Sequence, residues 1–506
     1  MTLRGSFKGG ASRTIDSCSS FFRFLFRLPA LALFDIVVWV WLFYQSRFSA
    51  RGFGKSLRSG PQTREANNNH LTMLQITHDT TSQHYLNSLL QKHSVQGLSI
   101  ARLDGGHRIT TICAGHSNRD ENIKITPSTW LQQASLSKTI AASFAVSYYK
   151  KRGIPMTTKV SDVLHRLKSP FHLNVAPGIP QGWLDELQLQ HLINHTGLGL
   201  HYVNGVSPTR PGGFPKVLDL LQGKHEKELG YPTIVLEKRP GTHFGYSGAG
   251  FMLLQHILEL EHNGVEIHQL LSEWLLQFNV SPNDIGFNQS DITSNATTSV
   301  DVAHGYLEDG TEVKGTRLMF PPLAAGGHGT PKGLCTFLYH LARAYHMPPG
   351  QGSGGVLSEH VHEMFDHSVD LGCFDFMYSK MGLGVFITKA GQNRFLLHQA
   401  ANDGFRGLFL ICFDGPDAGR GFVVLSNGNN NAMFLNAELS TWLCKSMGFQ
   451  GMDWSLLTSK VEDFDIANMK QEEIVNLGLK ELVFKAFIQG DESRLCDGAV
   501  DNRSKL

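Results

Sequence analysis

Gln132-Gln133-Ala134-Ser135-Leu136-Ser137-Lys138-Thr139-Ile140-Ala141-Ala142 carries the most chemistry in this 506-residue chain. A polar run gives way here to the apolar helical spacing of Ile140, Ala141, Phe144 and Ala145, and a Ser-x-x-Lys pair straddles the change. Residues three apart share one face of a helix, so Ser135 and Lys138 can meet there. A hydroxyl is a poor nucleophile at neutral pH and needs a proton acceptor beside it. An amine serves once burial or nearby positive charge lowers its pKa. The first turn of a helix also favours an alkoxide, because its unpaired N–H groups carry partial positive charge. An isolated Ser-x-x-Lys recurs by chance on solvated helices, so the pair needs its context.

The segment from Pro127 to Lys138 resembles the nucleophile segment of the serine β-lactamase and penicillin-binding-protein superfamily, most closely its class C and esterase branch. Leu192-Ile193-Asn194-His195-Thr196-Gly197-Leu198 is similar to that branch's Leu-Leu-x-His-Thr-x-Gly-Leu. Pro240-Gly241-Thr242-His243-Phe244-Gly245-Tyr246-Ser247-Gly248-Ala249-Gly250 resembles its Pro-Gly-x-x-Phe-x-Tyr-Ser-Asn-x-Gly. Ala325-Gly326-Gly327 resembles an Ala-Gly-Gly that precedes a helix, and His398-Gln399-Ala400-Ala401 matches the last motif imperfectly. The landmarks run in the family's order across residues 80 to 450.

The resemblance implies acyl transfer, with Ser135 as nucleophile and Lys138 as its proton acceptor or electrostatic partner. Tyr246 becomes the second general acid/base, acidified by Lys138, and His398 stands where the family places Lys or His. The backbone N–H groups of Ser135 and Ala401 form the oxyanion hole, a cradle typically worth about 2–4 kcal/mol of barrier. Two departures qualify this. Gly248 replaces the asparagine whose amide would hold a substrate acylamide, which sets β-lactams apart from esters and amides. Ala400 replaces a glycine, and its Cβ narrows the strand edge. The expected substrate is a small-molecule ester or amide; no cofactor and no metal are implied. The competing reading is a catalytically degraded, membrane-tethered scaffold or binding protein of the same fold. Another places the nucleophile at Ser247, since Gly245-Tyr246-Ser247-Gly248-Ala249-Gly250 resembles a nucleophile elbow, but the polar residues 237–242 do not supply the buried strand an elbow requires.

Elsewhere the pattern is α+β. Runs 98–103 and 109–114 flank Asp104-Gly105-Gly106, a hairpin signal. Strand-length runs at 383–388, 394–398, 407–413 and 421–426 precede a helix over 432–447. Strands at both ends with helices between predict one antiparallel sheet, flanked by helices and carrying a helical insertion. Residues 279–300, rich in Asn, Ser, Thr and Asp, read as a surface loop. His360, His362 and His367 lie on a solvated helix pattern rather than at metal-ligand spacing.

Residues 1–70 read as a basic leader with a candidate single-pass membrane anchor over 28–44, a stretch that a mitochondrial-type presequence or a buried core helix would also explain, followed by a polar linker. Residues 451–506 extend past the 80–450 hydrolase domain and end in Ser504-Lys505-Leu506, a peroxisomal address that gives the alternative location. A formal net charge of +1 gives no reason to expect nucleic acid as a partner, and seven scattered cysteines favour free thiols over a disulfide framework.

Overall fold

The computed structural model describes residues 80–200, 203–292, 301–370 and 380–450, together with Met452. The candidate anchor at 28–44, the linker and the Ser504-Lys505-Leu506 end lie outside the described residues. Among the described residues no helix is long and apolar enough to cross a membrane.

Helix α1 (Thr80–Lys92) leads into β1 (Gly97–Asp104) and β2 (Ile109–Asn118). These pair antiparallel from Gly97↔Gly115 to Leu103↔Ile109, as the Asp-Gly-Gly turn predicts. Gly105 and Gly106 both adopt positive φ, the conformation glycine reaches without a Cβ penalty. Short β3 (Ile123–Lys124) and β4 (Leu131–Ala134) precede helix α2 (Ser137–Lys150). A helical body follows, including α3 (Leu189–Ile193) and α4 (Gly248–Glu261). Next come β5 (Ile285–Gly286), α5 (Pro322–Ala325), β6 (Gly327–Gly329) and α6 (Pro331–Tyr345). The chain then returns to strands: β7 (Val369–Asp370), β8 (Lys380–Met381), β9 (Phe386–Ala390), β10 (Asn393–Asn402), β11 (Phe405–Asp414) and β12 (Arg420–Ser426), before α7 (Asn431–Met447).

Among the described residues nine strands form one sheet in the order β7-β8-β9-β10-β11-β12-β1-β2-β3. The junction is β1 against β12, antiparallel from Leu98↔Ser426 to Asp104↔Arg420, so the two ends of the domain complete a single sheet. Alternation along the strands divides two cores. Leu98, Ile100, Phe395, Leu397, Val424 and Phe422 pack with Leu86, Leu89, Leu435 and Leu439 of α1 and α7. Leu396, Ala400, Phe409, Ile411, Val423 and Leu425 face the helical body.

Helix α2 sits in that second core. Every residue from Ser137 to Tyr149 is buried, so the helix has no solvent face, as its short run of small and apolar side chains allows. Two of its hydroxyls are tied to backbone carbonyls: Ser143 Oγ donates to Thr139 O at 2.7 Å, and Thr139 Oγ1 donates to Gly384 O at 2.8 Å. The polar composition of 279–300 is misleading in its first half. Ile285, Phe287, Gln289 and Ile292 are buried, and β5 pairs with β6 beside β4. The second half of that stretch, residues 293–300, lies outside the described residues.

Candidate active site

Ser135 is not in the first turn of α2. It lies in the turn between β4 and the helix, one residue before the helix cap Leu136. Ala134 before it takes φ +46°, a left-handed conformation costly for a residue with a Cβ. The turn is closed by Lys138 N–H to Ser135 O at 3.1 Å and by Ser137 Oγ–H to Ala134 O at 2.5 Å. Ser137 Oγ in turn accepts Gly327 N–H at 2.9 Å, tying the turn to β6. Ser135 is half-buried, and its N–H donates to no main-chain carbonyl among the described residues.

Lys138 lies 2% exposed, with Nζ 3.1 Å from Ser135 Oγ and 2.6 Å from the Ala324 carbonyl of α5. It stands 4.8 Å from the centre of the Tyr246 ring and 5.5 Å from that of Phe251. Burial disfavours the ammonium and brings the lysine down to about 7. Nζ donates to Ala324 O and to Ser135 Oγ, and an amine in the same place has a lone pair for the hydroxyl proton. Ser135, Lys138 and the Tyr246 ring, about a hundred residues later in sequence, therefore lie together.

Tyr246 is half-buried at the entry to α4. The next residue, Ser247, caps α4: Oγ accepts Gly250 N–H at 3.2 Å and donates to Gly199 O at 2.7 Å. With its hydroxyl 1% exposed and committed to the cap, and no strand leading into it, Ser247 is a helix cap rather than an elbow nucleophile. Gly248 is explained sterically. A Cβ there would sit 2.6 Å from Val203 Cγ1, so Val203 takes the space an asparagine side chain needs.

His398 is carried on β10, with its ring 6.1 Å from Tyr246 and 5.3 Å from Phe386. Its Nδ1 pairs with the Gln399 carbonyl at 2.8 Å, which puts the proton on Nδ1, and Nε2 is buried without a partner among the described residues. Burial first and the charge of Lys138 second hold this histidine down at about 3, so it is neutral. Ala400 is also buried. Its methyl packs over Gly407 of β11, where the missing side chain makes room for it. Pairing of β9 with β10 stops at Phe386↔Leu397, so residues 398–402, Ala401 among them, run on past that neighbour.

The sequence reading missed two amides that assemble this site. Asn402 Nδ2 donates to Gln132 Oε1 at 2.9 Å and to Ala325 O at 3.1 Å, joining β10, β4 and α5. Gln289 donates to Gly326 O at 2.8 Å and accepts Phe320 N–H at 2.9 Å, clamping the Ala-Gly-Gly segment whose neighbour holds Lys138. His360 and His362, on a helix over Ser358–Asp366, serve separate tasks, and His367 lies just past its end. His360 Nδ1 accepts Leu357 N–H at 3.1 Å, and His362 pairs with Asp366 at 2.6 Å. Among the described residues no metal-binding cluster occurs.

A family model described as Beta-lactamase matches residues 83–440. The chain belongs to the beta-lactamase family. It is thus a serine hydrolase of the β-lactamase type, and its sheet and helices are those of that fold. The octameric penicillin-binding protein homologue from Pyrococcus abyssi is similar at TM-score 0.52 and 17% identity, over 73% of this chain and 77% of that one. D-amino acid amidase from Ochrobactrum anthropi SV3, complexed with D-phenylalanine, is similar at TM-score 0.52 and 15% identity, over 75% and 99%. SurE is similar at TM-score 0.52 and 18% identity, over 72% and 75%. These likenesses speak for the fold. No curated protein matches the chain.

Proposed function

We propose that this β-lactamase-family member cleaves a small ester or amide through an acyl-enzyme on Ser135. The observation that carries the reading is Lys138 Nζ, buried, near pKa 7 and 3.1 Å from Ser135 Oγ. Lys138 takes the hydroxyl proton as Oγ forms its bond to the substrate carbonyl carbon, and the oxyanion rests on the N–H groups of Ser135 and Ala401. The proton passes to the departing amine or alkoxide as the scissile bond breaks. Water then attacks the acyl ester with Tyr246 or Lys138 as base, and Ser135 Oγ leaves with a proton restored.

The amide branch draws support from the amidase among the structural neighbours, and the Val203-filled space beside Gly248 argues against substrates that need an acylamide partner. The test is hydrolysis of p-nitrophenyl acetate, D-amino-acid amides and nitrocefin by the wild type and Ser135→Ala. Turnover of an ester or amide that Ser135→Ala abolishes supports the reading. Folded wild type that turns over nothing in the panel supports the scaffold reading instead.

A further inference from the structure

We infer that His195 is a positioning residue that fixes the phenol of Tyr246, an inference that rests on the catalytic role proposed for Tyr246. His195 brackets the tyrosine from both sides in sequence. Its carbonyl accepts Gly245 N–H at 2.8 Å, and its Nδ1 accepts Ser247 N–H at 3.0 Å. The imidazole then lies against the phenol, ring centres 4.3 Å apart and planes 30° from parallel. Two hydrogen bonds fix the backbone on either side of Tyr246, and the ring contact limits how the side chain can swing.

The local sequence is built to hold the imidazole there. Asn194 Oδ1 accepts both Thr196 N–H at 3.2 Å and Thr196 Oγ–H at 2.6 Å, and His195 between them takes φ +61°. Left-handed backbone at a histidine is uncommon and strained, so something must hold it. Thr196 O adds a further tie by accepting Gly241 N–H at 2.9 Å. Phe244 and Phe251, with ring centres 5.9 Å and 5.6 Å away, close around an imidazole that is 1% exposed. Because Nδ1 is an acceptor, the neutral ring carries its proton on Nε2 and brings no charge to compete with Lys138. Lys138 Nζ approaches the same phenol ring, 4.8 Å from its centre, so Tyr246 contacts both the imidazole and the amine.

The experiment is a double-mutant cycle on steady-state p-nitrophenyl acetate hydrolysis, using His195→Ala, Tyr246→Phe and the pair, with thermal melting on each. His195→Ala is expected to lower kcat about 10- to 100-fold with KM within about twofold, since misplacing a catalytic group by about 1 Å costs on that order. The pair is expected to be no worse than Tyr246→Phe, because a misplaced phenol and a missing one are equivalent. His195→Asn, whose amide oxygen can stand in for Nδ1 and whose backbone tolerates positive φ, is expected to recover kcat to within about fivefold. It also keeps the inference testable if the alanine variant does not fold. Losses that multiply in the pair, or a His195→Asn enzyme no better than alanine, overturn the positioning role. If Tyr246→Phe alone leaves kcat unchanged, the catalytic reading of Tyr246 fails first, and the role of His195 falls with it.

Discussion

Replacing Lys138 by methionine should abolish hydrolysis while making the protein more stable at pH 6, and the gain should vanish as the pH is raised. Burial lowers Lys138 from 10.5 to about 7. At roughly 1.36 kcal/mol per pH unit, keeping this lysine charged inside the fold costs about 5 kcal/mol at any pH below 7. The sign follows from where the protons sit. Between about 7 and 10.5 the unfolded chain binds the extra proton, so the wild type gains stability as pH rises, and the cost is gone above the unfolded value. Methionine has similar length and no charge, but it leaves the Ala324 carbonyl, 2.6 Å from Nζ, without its donor. An orphaned buried carbonyl costs about 1–3 kcal/mol. The net expectation is a gain of about 2–4 kcal/mol at pH 6. At pH 9.5 the remaining charge penalty of about 1 kcal/mol is cancelled or outweighed by the orphaned carbonyl. Urea denaturation of both proteins at the two pH values measures this. A Lys138→Met protein no more stable than wild type at pH 6, or a difference that does not shrink with pH, would refute the account of a lysine neutralised by burial.

The same lysine sets the pH dependence of activity: kcat/KM should fall about tenfold per unit below pH 7, because only the amine accepts the Ser135 proton, and a profile flat from pH 5 to 8 would exclude it as the base. Gly384 adopts φ +76°, and a Cβ there would lie 2.2 Å from Ala142 Cβ on the nucleophile helix. Gly384→Ala should therefore destabilise the protein by about 2–4 kcal/mol, read as a lowered urea midpoint. Asn402→Ala leaves Gln132 Oε1 and Ala325 O unpaired in the core and should cost about 2–4 kcal/mol, checked in the same assay, together with a loss of kcat as α5 loosens around Lys138.

What the sequence made legible was local or ordered. The Ser-x-x-Lys spacing, the Asp104-Gly105-Gly106 turn and the alternating strands after residue 383 are written in adjacent residues, and all three stand in the structure. The meeting of the two ends of the domain as β1 and β12 followed from having strands at both of its ends. The position of Ser135 outside the helix did not follow, because the left-handed step at Ala134 is imposed by the pairing of β4 with β6 and has no residue signature. Asn402 was invisible for a different reason. Its partner Gln132 lies 270 residues away, and one amide at a strand end looks like any other. Gln289 was hidden by composition, since the polar stretch around it reads as solvated while its own side chain is buried in the Ala-Gly-Gly clamp. The lysine's main acceptor, the Ala324 carbonyl, is backbone, and no side-chain pattern can announce it.

The central claim is that the Ser135 hydroxyl is the activated nucleophile of this chain. It is tested most directly by treating the folded protein with a fluorophosphonate and locating the adduct by intact mass and peptide mapping. The account predicts one adduct on Ser135, absent from Ser135→Ala, lost in Lys138→Met and retained in Ser247→Ala. An adduct mapped to Ser247, or labelling of Ser135→Ala as fast as the wild type, would contradict it.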